Sequence, residues 1–290
     1  MYPFLYYSPK FSIPSFAFSL MMASVVATTV AYKMAPRRGL SQLACLDLAI
    51  LGTIAAIIGG RLFHVFAEQW SFYMEHPSFI FQVWRGGFVS YGAFIGLGVS
   101  WILYCRIKKL DALRYIDHAC LYAGPFIILM VRTGCLLTGC CYGQPSPFHV
   151  LPGLLYIVFT NHMSDAGHFH YGEPLYPTQV WEMIYSMIIF GICYWVEGRN
   201  KFKGQVTLTF LMSYAAFRFV QEIFRGDELR GVYFNHTLST AQITGLITIV
   251  LCLIAWVVLK KKFPLEHPYP RYKPGEAPPL TTKQTPASPA

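Results

Sequence analysis

The chain has 290 residues, 54% of them hydrophobic and only 13% charged, with a mean hydropathy of +0.42; an ordinary soluble domain has roughly a quarter of its residues charged. So few charges cannot cover a soluble surface, and the composition excludes a secreted disulfide scaffold, a disordered regulator and a nucleic-acid-binding protein. The net charge of +9 would otherwise point to an acidic partner, but most of it sits in short clusters beside long apolar runs, where it orients a protein in a bilayer.

A crossing needs about 20 mainly apolar residues. Windows of that length predict seven transmembrane helices, near residues 14–34, 43–65, 88–105, 115–138, 178–196, 206–224 and 240–259. The residues before the first carry only Lys10 and no basic stretch leading to a small-residue cleavage site, so 14–34 is expected to stay as a helix rather than leave as a signal peptide. Lys33, Arg37 and Arg38 follow the first crossing. Arg106, Lys108, Lys109 and Arg114 follow the third, Arg199, Lys201 and Lys203 the fifth, and Lys260, Lys261 and Lys262 the last. These clusters must share a side. Between them, 67–87 holds only Arg85, 141–177 has no Lys or Arg, and 225–239 has Arg225 and Arg230. The positive-inside rule then places the N-terminus outside and the C-terminus in the cytoplasm. The predicted fold class is an all-α membrane protein, one seven-helix membrane domain over 1–263 with a single long periplasmic loop, 141–177. Within that loop Leu151–Phe159 is apolar but too short to span. Residues 264–290 are rich in proline and read as a disordered cytoplasmic tail.

An ionisable group in hydrocarbon costs several kcal/mol unless it is paired or hydrated, which makes each one a candidate for function. Arg61 closes the second crossing, Arg85 precedes the third, Arg132 lies in the fourth, Glu182 opens the fifth, and Arg218, Glu222 and Arg225 lie on the sixth. In the orientation above all fall in the outer half of the membrane. Tyr214, Arg218, Glu222 and Arg225 stand at i, i+4, i+8 and i+11, within roughly 80° of one helix face at about 100° per residue. Salt bridges between spans are the plain alternative for any one of these residues. As a set, the arginines outnumber the glutamates, and a surplus of guanidinium groups calls for an anion with the forked geometry of a phosphate. Phospholipid headgroups are the abundant anions at that depth. Asp47, Asp117 and His118 sit near cytoplasmic helix ends, where snorkelling or a helix-end role accounts for them.

Of eight cysteines, Cys45, Cys105, Cys120, Cys193 and Cys252 stand singly in apolar context and read as packing residues. The run from Arg132 through Cys135, Gly139, Cys140 and Cys141 to Gly143 instead concentrates thiols at the outer end of the fourth crossing. Redox pairing is open to thiols that face an oxidising compartment. No Cys-x-x-Cys occurs and no Cys/His spacing matches a zinc site, so no metal and no organic cofactor is expected. His149, His162, His168 and His170 read as loop polar residues; His64, one turn after Arg61, is either a proton carrier or an interfacial side chain.

Taken together, several segments resemble the prolipoprotein diacylglyceryl transferases of bacterial inner membranes, over roughly 14–260. They are Gly59-Gly60-Arg61, Val83-Trp84-Arg85-Gly86-Gly87, Gly92 to Gly96, Arg132-Thr133-Gly134, Pro177-Thr178-Gln179-Val180-Trp181-Glu182, Tyr214 to Arg225, and Ser239-Thr240-Ala241-Gln242. Departures accompany the matches. Tyr91 stands where the family has His and His64 where it has Tyr. Cys135, Thr138 and Cys140 replace the Asn, Asn and Glu of the family's motif after the fourth-span arginine, and Phe18-Ser19 replaces Tyr-Gly.

The resemblance implies a multi-pass protein of the bacterial inner membrane. Its implied reaction moves a diacylglyceryl group from phosphatidylglycerol to the thiol of a lipobox cysteine at a prolipoprotein signal peptide, leaving glycerol phosphate. Its partners are then the bilayer, the lipid and the precursor, with no nucleic acid. Catalysis is assigned to Arg132 and Arg218 at the phosphate, with His64 as base and Tyr91 as its partner or substitute. Substrate binding is assigned to Arg61, Arg85, Gly143, Glu182, Tyr214, Glu222 and Arg225. Three other readings stay open: a divergent lipid-binding paralogue with another acceptor, an organic-anion transporter, and a thiol–disulfide oxidoreductase built on Cys135, Cys140 and Cys141.

Overall fold

The computed structural model describes residues 2–8, 11–82, 87, 89–226, 232–233, 238–270 and 272. The architecture is mostly helical, and each of the seven predicted apolar segments forms helix. The helices are α1 (Ser15–Met34), α2 (Gln42–Phe63), α3 (Trp70–Glu75), α4 (Ser90–Ile107), α5 (Ala112–Tyr122), α6 (Gly124–Thr138), α7 (Asp165–Phe169), α8 (Thr178–Glu197), α9 (Gln205–Glu222) and α10 (Thr240–Lys262). Four of the long helices, α1, α2, α8 and α10, are long and apolar enough to cross a bilayer, and α5 with α6 makes a fifth candidate as a bent pair. Many large apolar side chains of α2 and α10 face outward, among them Leu43, Ile54, Leu251 and Val257. A water-soluble bundle would bury them; a bilayer accepts them.

The contact pattern divides the chain into two compact units. One comprises Met1–Ala31 and Ile116–Tyr269, the other Tyr32–Tyr115 and Pro270–Ala290. The second unit is built on α2 against α4. The two backbones touch because no side chain intervenes: a Cβ on Gly59 would stand 2.3 Å from the Gly92 carbonyl oxygen, and one on Gly96 2.2 Å from that of Ala55. Near the other end of the pair a core of Ala44, Cys45, Leu48, Cys105 and Tyr115 is covered by Trp101, whose indole donates to the Leu48 carbonyl at 2.9 Å.

In the first unit α6 packs on α8, α8 on α9 and α9 on α10. A 41° bend separates α5 from α6, so the predicted crossing 115–138 is two helices. Pro125 opens α6 and has no N–H for the carbonyl one turn back, which breaks the ladder there. The segment 141–177 is ordered. Two-residue strands Ile157–Val158 and Pro174–Leu175 pair antiparallel, and Tyr142, Phe159, Ala166 and Leu175 form its own small core. Short antiparallel pairs also join Phe4–Ser8 to Phe11–Pro14 and Val232–Tyr233 to Leu238–Ser239.

Two sequence features find their causes here. Ser239 and Gln242 form a reciprocal capping box at the start of α10. Asp117, fully buried, accepts from the Gly204 and Thr207 amides at 2.8 Å each and from Tyr269 Oη at 3.2 Å. The helix-end role expected of Asp117 is therefore served on a different helix, α9, whose own N-cap Gly204 has no side chain. Tyr269 is 6% exposed and Leu265 donates to the Lys201 carbonyl at 2.8 Å. Ordered packing thus continues past the Phe263 boundary at which the tail was expected to begin. Residues 273–290 of that tail lie outside the described residues.

Candidate active site

The sixth predicted crossing is amphipathic in an unusual sense, since its polar stripe consists of a phenol and three charges. In the structure that stripe meets α6 and α8 inside the first unit. Arg132 Nε lies 2.9 Å from Glu182 Oε1, and Arg218 Nη1 lies 3.8 Å from Glu182 Oε2. Arg218 Nη2 is 2.9 Å from Glu222 Oε2, and Arg225 Nε is 3.9 Å from the same oxygen. Tyr214 Oη donates to Glu182 Oε1 at 3.0 Å. The five charges alternate along one line, Arg132, Glu182, Arg218, Glu222, Arg225. Three cations share two anions, so the line carries a formal net charge of +1.

Burial sorts the signs. The Glu182 and Glu222 side chains are 1% and 3% exposed, whereas Arg132 and Arg218 are 15% and Arg225 10% exposed. The carboxylates form the back of the cluster and its accessible surface is cationic. A buried carboxylate costs several kcal/mol to desolvate and persists only when paired; here each serves two guanidinium groups and thereby fixes their separation. The arrangement suits a bidentate anion with several oxygens, which is the geometry guanidinium matches best.

The backbone around the cluster is equally constrained. At the start of α8, Thr178 Oγ1 donates to the Cys141 carbonyl at 2.7 Å and Gln179 Nε2 to the Cys140 carbonyl at 2.8 Å. Gly143 bridges to Arg225 through the backbone. A Cβ on Gly143 would stand 2.5 Å from both the Cβ and the carbonyl oxygen of Tyr176, so only glycine fits. Gly143 therefore holds Arg225 by its main chain. Two residues without a signal of their own in the sequence complete the set. Gln221 is 6% exposed, accepts from Tyr185 Oη at 2.8 Å and from Arg218 Nη1 at 3.4 Å, and donates to the Thr178 carbonyl at 2.7 Å. Gln221 and Tyr185 each lie three residues after a site charge, Arg218 and Glu182, and that spacing is the one hint the sequence holds of them.

Thus Arg132, Gly143, Glu182, Tyr214, Glu222, Arg218 and Arg225 are brought together. Arg61 and His64 belong to the second unit. Arg61 is 5% exposed and its guanidinium donates to the Phe79, Ile80 and Gly87 carbonyls, with the Tyr73 ring 5.2 Å away. These contacts clasp the turn that follows α3. His64 meets Tyr73 edge-on, ring centroids 5.9 Å apart. Arg85 and the Tyr91 side chain lie outside the described residues.

A largely apolar helical protein with an arginine-rich cluster on buried carboxylates defines a class: membrane proteins that handle an anionic group beside hydrocarbon. Within that class the comparisons are specific. The family model for prolipoprotein diacylglyceryl transferase matches residues 3–258, and the chain belongs to that family. It is 30% identical over 254 residues to phosphatidylglycerol–prolipoprotein diacylglyceryl transferase 2 of Clostridium perfringens, covering 86% of this chain and 92% of that protein. A Clostridium tetani transferase of the same name is 29% identical, covering 83% and 92%. One from Streptococcus uberis is 28% identical, covering 87% and 92%.

Proposed function

We propose that this chain transfers the diacylglyceryl group of phosphatidylglycerol to the lipobox cysteine thiol of a prolipoprotein. The acceptor sulfur forms a C–S thioether bond to the glyceryl carbon, the bond between that carbon and the phosphate oxygen breaks, and glycerol phosphate leaves with the electron pair. The thiol proton passes to a base. The observation that carries the reading is the three-guanidinium cluster on two shared carboxylates in a chain matched by the family over nearly its whole length.

The chemistry explains why the cluster takes this form. Negative charge builds on the leaving phosphate as the C–O bond lengthens, and fixed cations in a water-poor site stabilise that charge without reorganising. Arg132 and Arg218 take this role. Glu182 and Glu222 hold them in place, Tyr214 orients Glu182, and Arg225 gathers the headgroup. His64 receives the thiol proton with Tyr91 as partner, an assignment supported by motif correspondence; Arg61 and Arg85 are assigned to substrate binding on the same ground.

The protein is read as crossing a bacterial inner membrane seven times, N-terminus outside, with α4 and α9 as the crossings beyond the five that length and hydropathy support. Basic clusters at the ends of α1, α4, α8 and α10 support that orientation. An anion transporter would also use arginines, yet the α9 part of the charged line sits on its last two turns and the residues just after it, and no charged residue stands on α9 before Arg218. The deciding experiment incubates purified protein with phosphatidylglycerol and a lipobox peptide and follows the peptide by mass spectrometry. A thioether-linked diacylglyceryl adduct is expected, reduced on the order of 10²–10³-fold in Arg218→Ala. No adduct from the parent protein overturns the assignment.

A further inference from the structure

The family's Asn and Glu positions after the fourth-span arginine hold thiols in this chain, and the structure brings them to one point. The sulfur atoms of Cys135, Cys140 and Cys141 all lie within 4.8 Å of one another. The sequence groups these thiols at the end of the fourth crossing, but their meeting at one point is produced by backbone reversal. α6 ends at Gly139 with φ +78°, the Gly139 and Cys140 amides both return to the Cys135 carbonyl at 2.8 and 3.1 Å, and Cys141 itself has φ +57°. Left-handed backbone at a non-glycine residue is uncommon. Here it folds the Cys140 and Cys141 side chains back over the last turn of the helix. The Thr178 and Gln179 hydrogen bonds to the Cys141 and Cys140 carbonyls hold the turn in that shape.

We propose that Cys135, Cys140 and Cys141 bind one thiophilic d10 metal ion, Zn²⁺ in the first instance, and leave its fourth position open to the acceptor thiol. An ion about 2.3 Å from each sulfur places the sulfurs about 4 Å apart, which the observed grouping meets after a small closure. The charge balance fits as well. Three thiolates on Zn²⁺ carry a net charge of −1, and the cluster stands beside cations: Arg132 Nη1 lies 3.6 Å from Cys135 Sγ. On binding, three S–H bonds release their protons to solvent and three metal–sulfur bonds form, with no change in oxidation state. A disulfide between the two neighbouring thiols is disfavoured. Cys140 and Cys141 are adjacent, their Cα atoms about 3.8 Å apart, short of the roughly 4.4–6.8 Å a disulfide takes.

The three-thiolate site stands on this geometry alone; the role of the fourth position rests on the transferase reading. A thiol that coordinates the ion loses its proton to do so; an acceptor thiol held there would pass that proton to the base of the transferase reading and be presented as thiolate beside Arg132. The test uses the full-length protein in detergent, reduced, freed of metal and given Zn²⁺ alone. One equivalent bound with three sulfur scatterers at about 2.3 Å in X-ray absorption is expected, and loss of that equivalent in Cys135→Ser, Cys140→Ser and Cys141→Ser. Cys252→Ser, away from the cluster, should keep it. Size-exclusion profiles of the serine variants separate loss of the site from loss of the fold, and a folded parent that binds no stoichiometric Zn²⁺ overturns the site. Adding a lipobox peptide should raise the sulfur count from three to four. A count that stays at three overturns the acceptor role. Arg218→Ala should still bind Zn²⁺ and the peptide thiol, so failure of transfer and failure of the metal site are read separately.

Discussion

Glu182 is a single carboxylate that faces Arg132, Arg218 and the Tyr214 hydroxyl while 1% exposed. Replacing it by Gln leaves two guanidinium groups sharing one anion fewer. Breaking a buried ion pair from one side costs about 3–5 kcal/mol, so Glu182→Gln should lower the thermal midpoint in detergent by several degrees and abolish transfer, measured on the same preparation. Arg218→Lys separates charge from geometry. A lysine keeps the cation but cannot span two carboxylates and a phosphate at once. The expected result is a folded protein with transfer down at least about tenfold; parent-level turnover would reduce Arg218 to a point charge. The stripe of Tyr214, Arg218, Glu222 and Arg225 is legible in the sequence, because helical periodicity alone puts those residues on one face. Gln221 and Tyr185 show there only as residues three positions after Arg218 and Glu182; what they do depends on partners on neighbouring helices.

Elements position these residues through their ends and crossings. α9 has glycine at its N-cap, and Asp117 from α5 supplies the missing acceptor for its first amides. Losing a cap costs about 0.5–2 kcal/mol. Asp117→Ala should therefore destabilise the protein measurably in thermal unfolding while the chemistry at the far end of α9 survives at permissive temperature; a transfer defect larger than the stability defect would show that capping is not its whole role. In the α2–α4 pair a side chain at Gly92 would run into the Gly59 carbonyl oxygen at 2.3 Å and Phe63 Cβ at 2.4 Å. Gly92→Leu must push the helices apart, and overpacking of this kind costs about 1–3 kcal/mol or more. Loss of a monodisperse peak on size exclusion is the expected reading, with Gly98→Leu, where nothing stands within 4 Å, as the tolerated control. The helices themselves follow from apolar length. Pro125 is the one sequence mark of the break between α5 and α6, and hydropathy that runs through it unbroken hides it.

At the scale of the molecule, the proposed topology makes a prediction of its own. Loop 141–177, without Lys or Arg, is expected outside, and the Lys260–Lys262 end inside. Single cysteines placed at His149 and at Glu266 in a cysteine-free background should be labelled from opposite faces of the intact membrane by an impermeant maleimide; labelling from the same face would reverse or reduce the crossing count. By itself the sequence determined the class, the helical segments and the family. Those properties depend on composition, period and motif, each a local quantity summed along the chain. Only tertiary structure decided that five charges from three segments form one line with the carboxylates behind. It likewise decided that the Arg61 guanidinium donates to the carbonyls of a turn, and that the three thiols converge on one point. Each of those depends on backbone reversal and on partners remote in sequence, and in a low-dielectric interior the partner, not the residue type, sets what a charge or a thiol does.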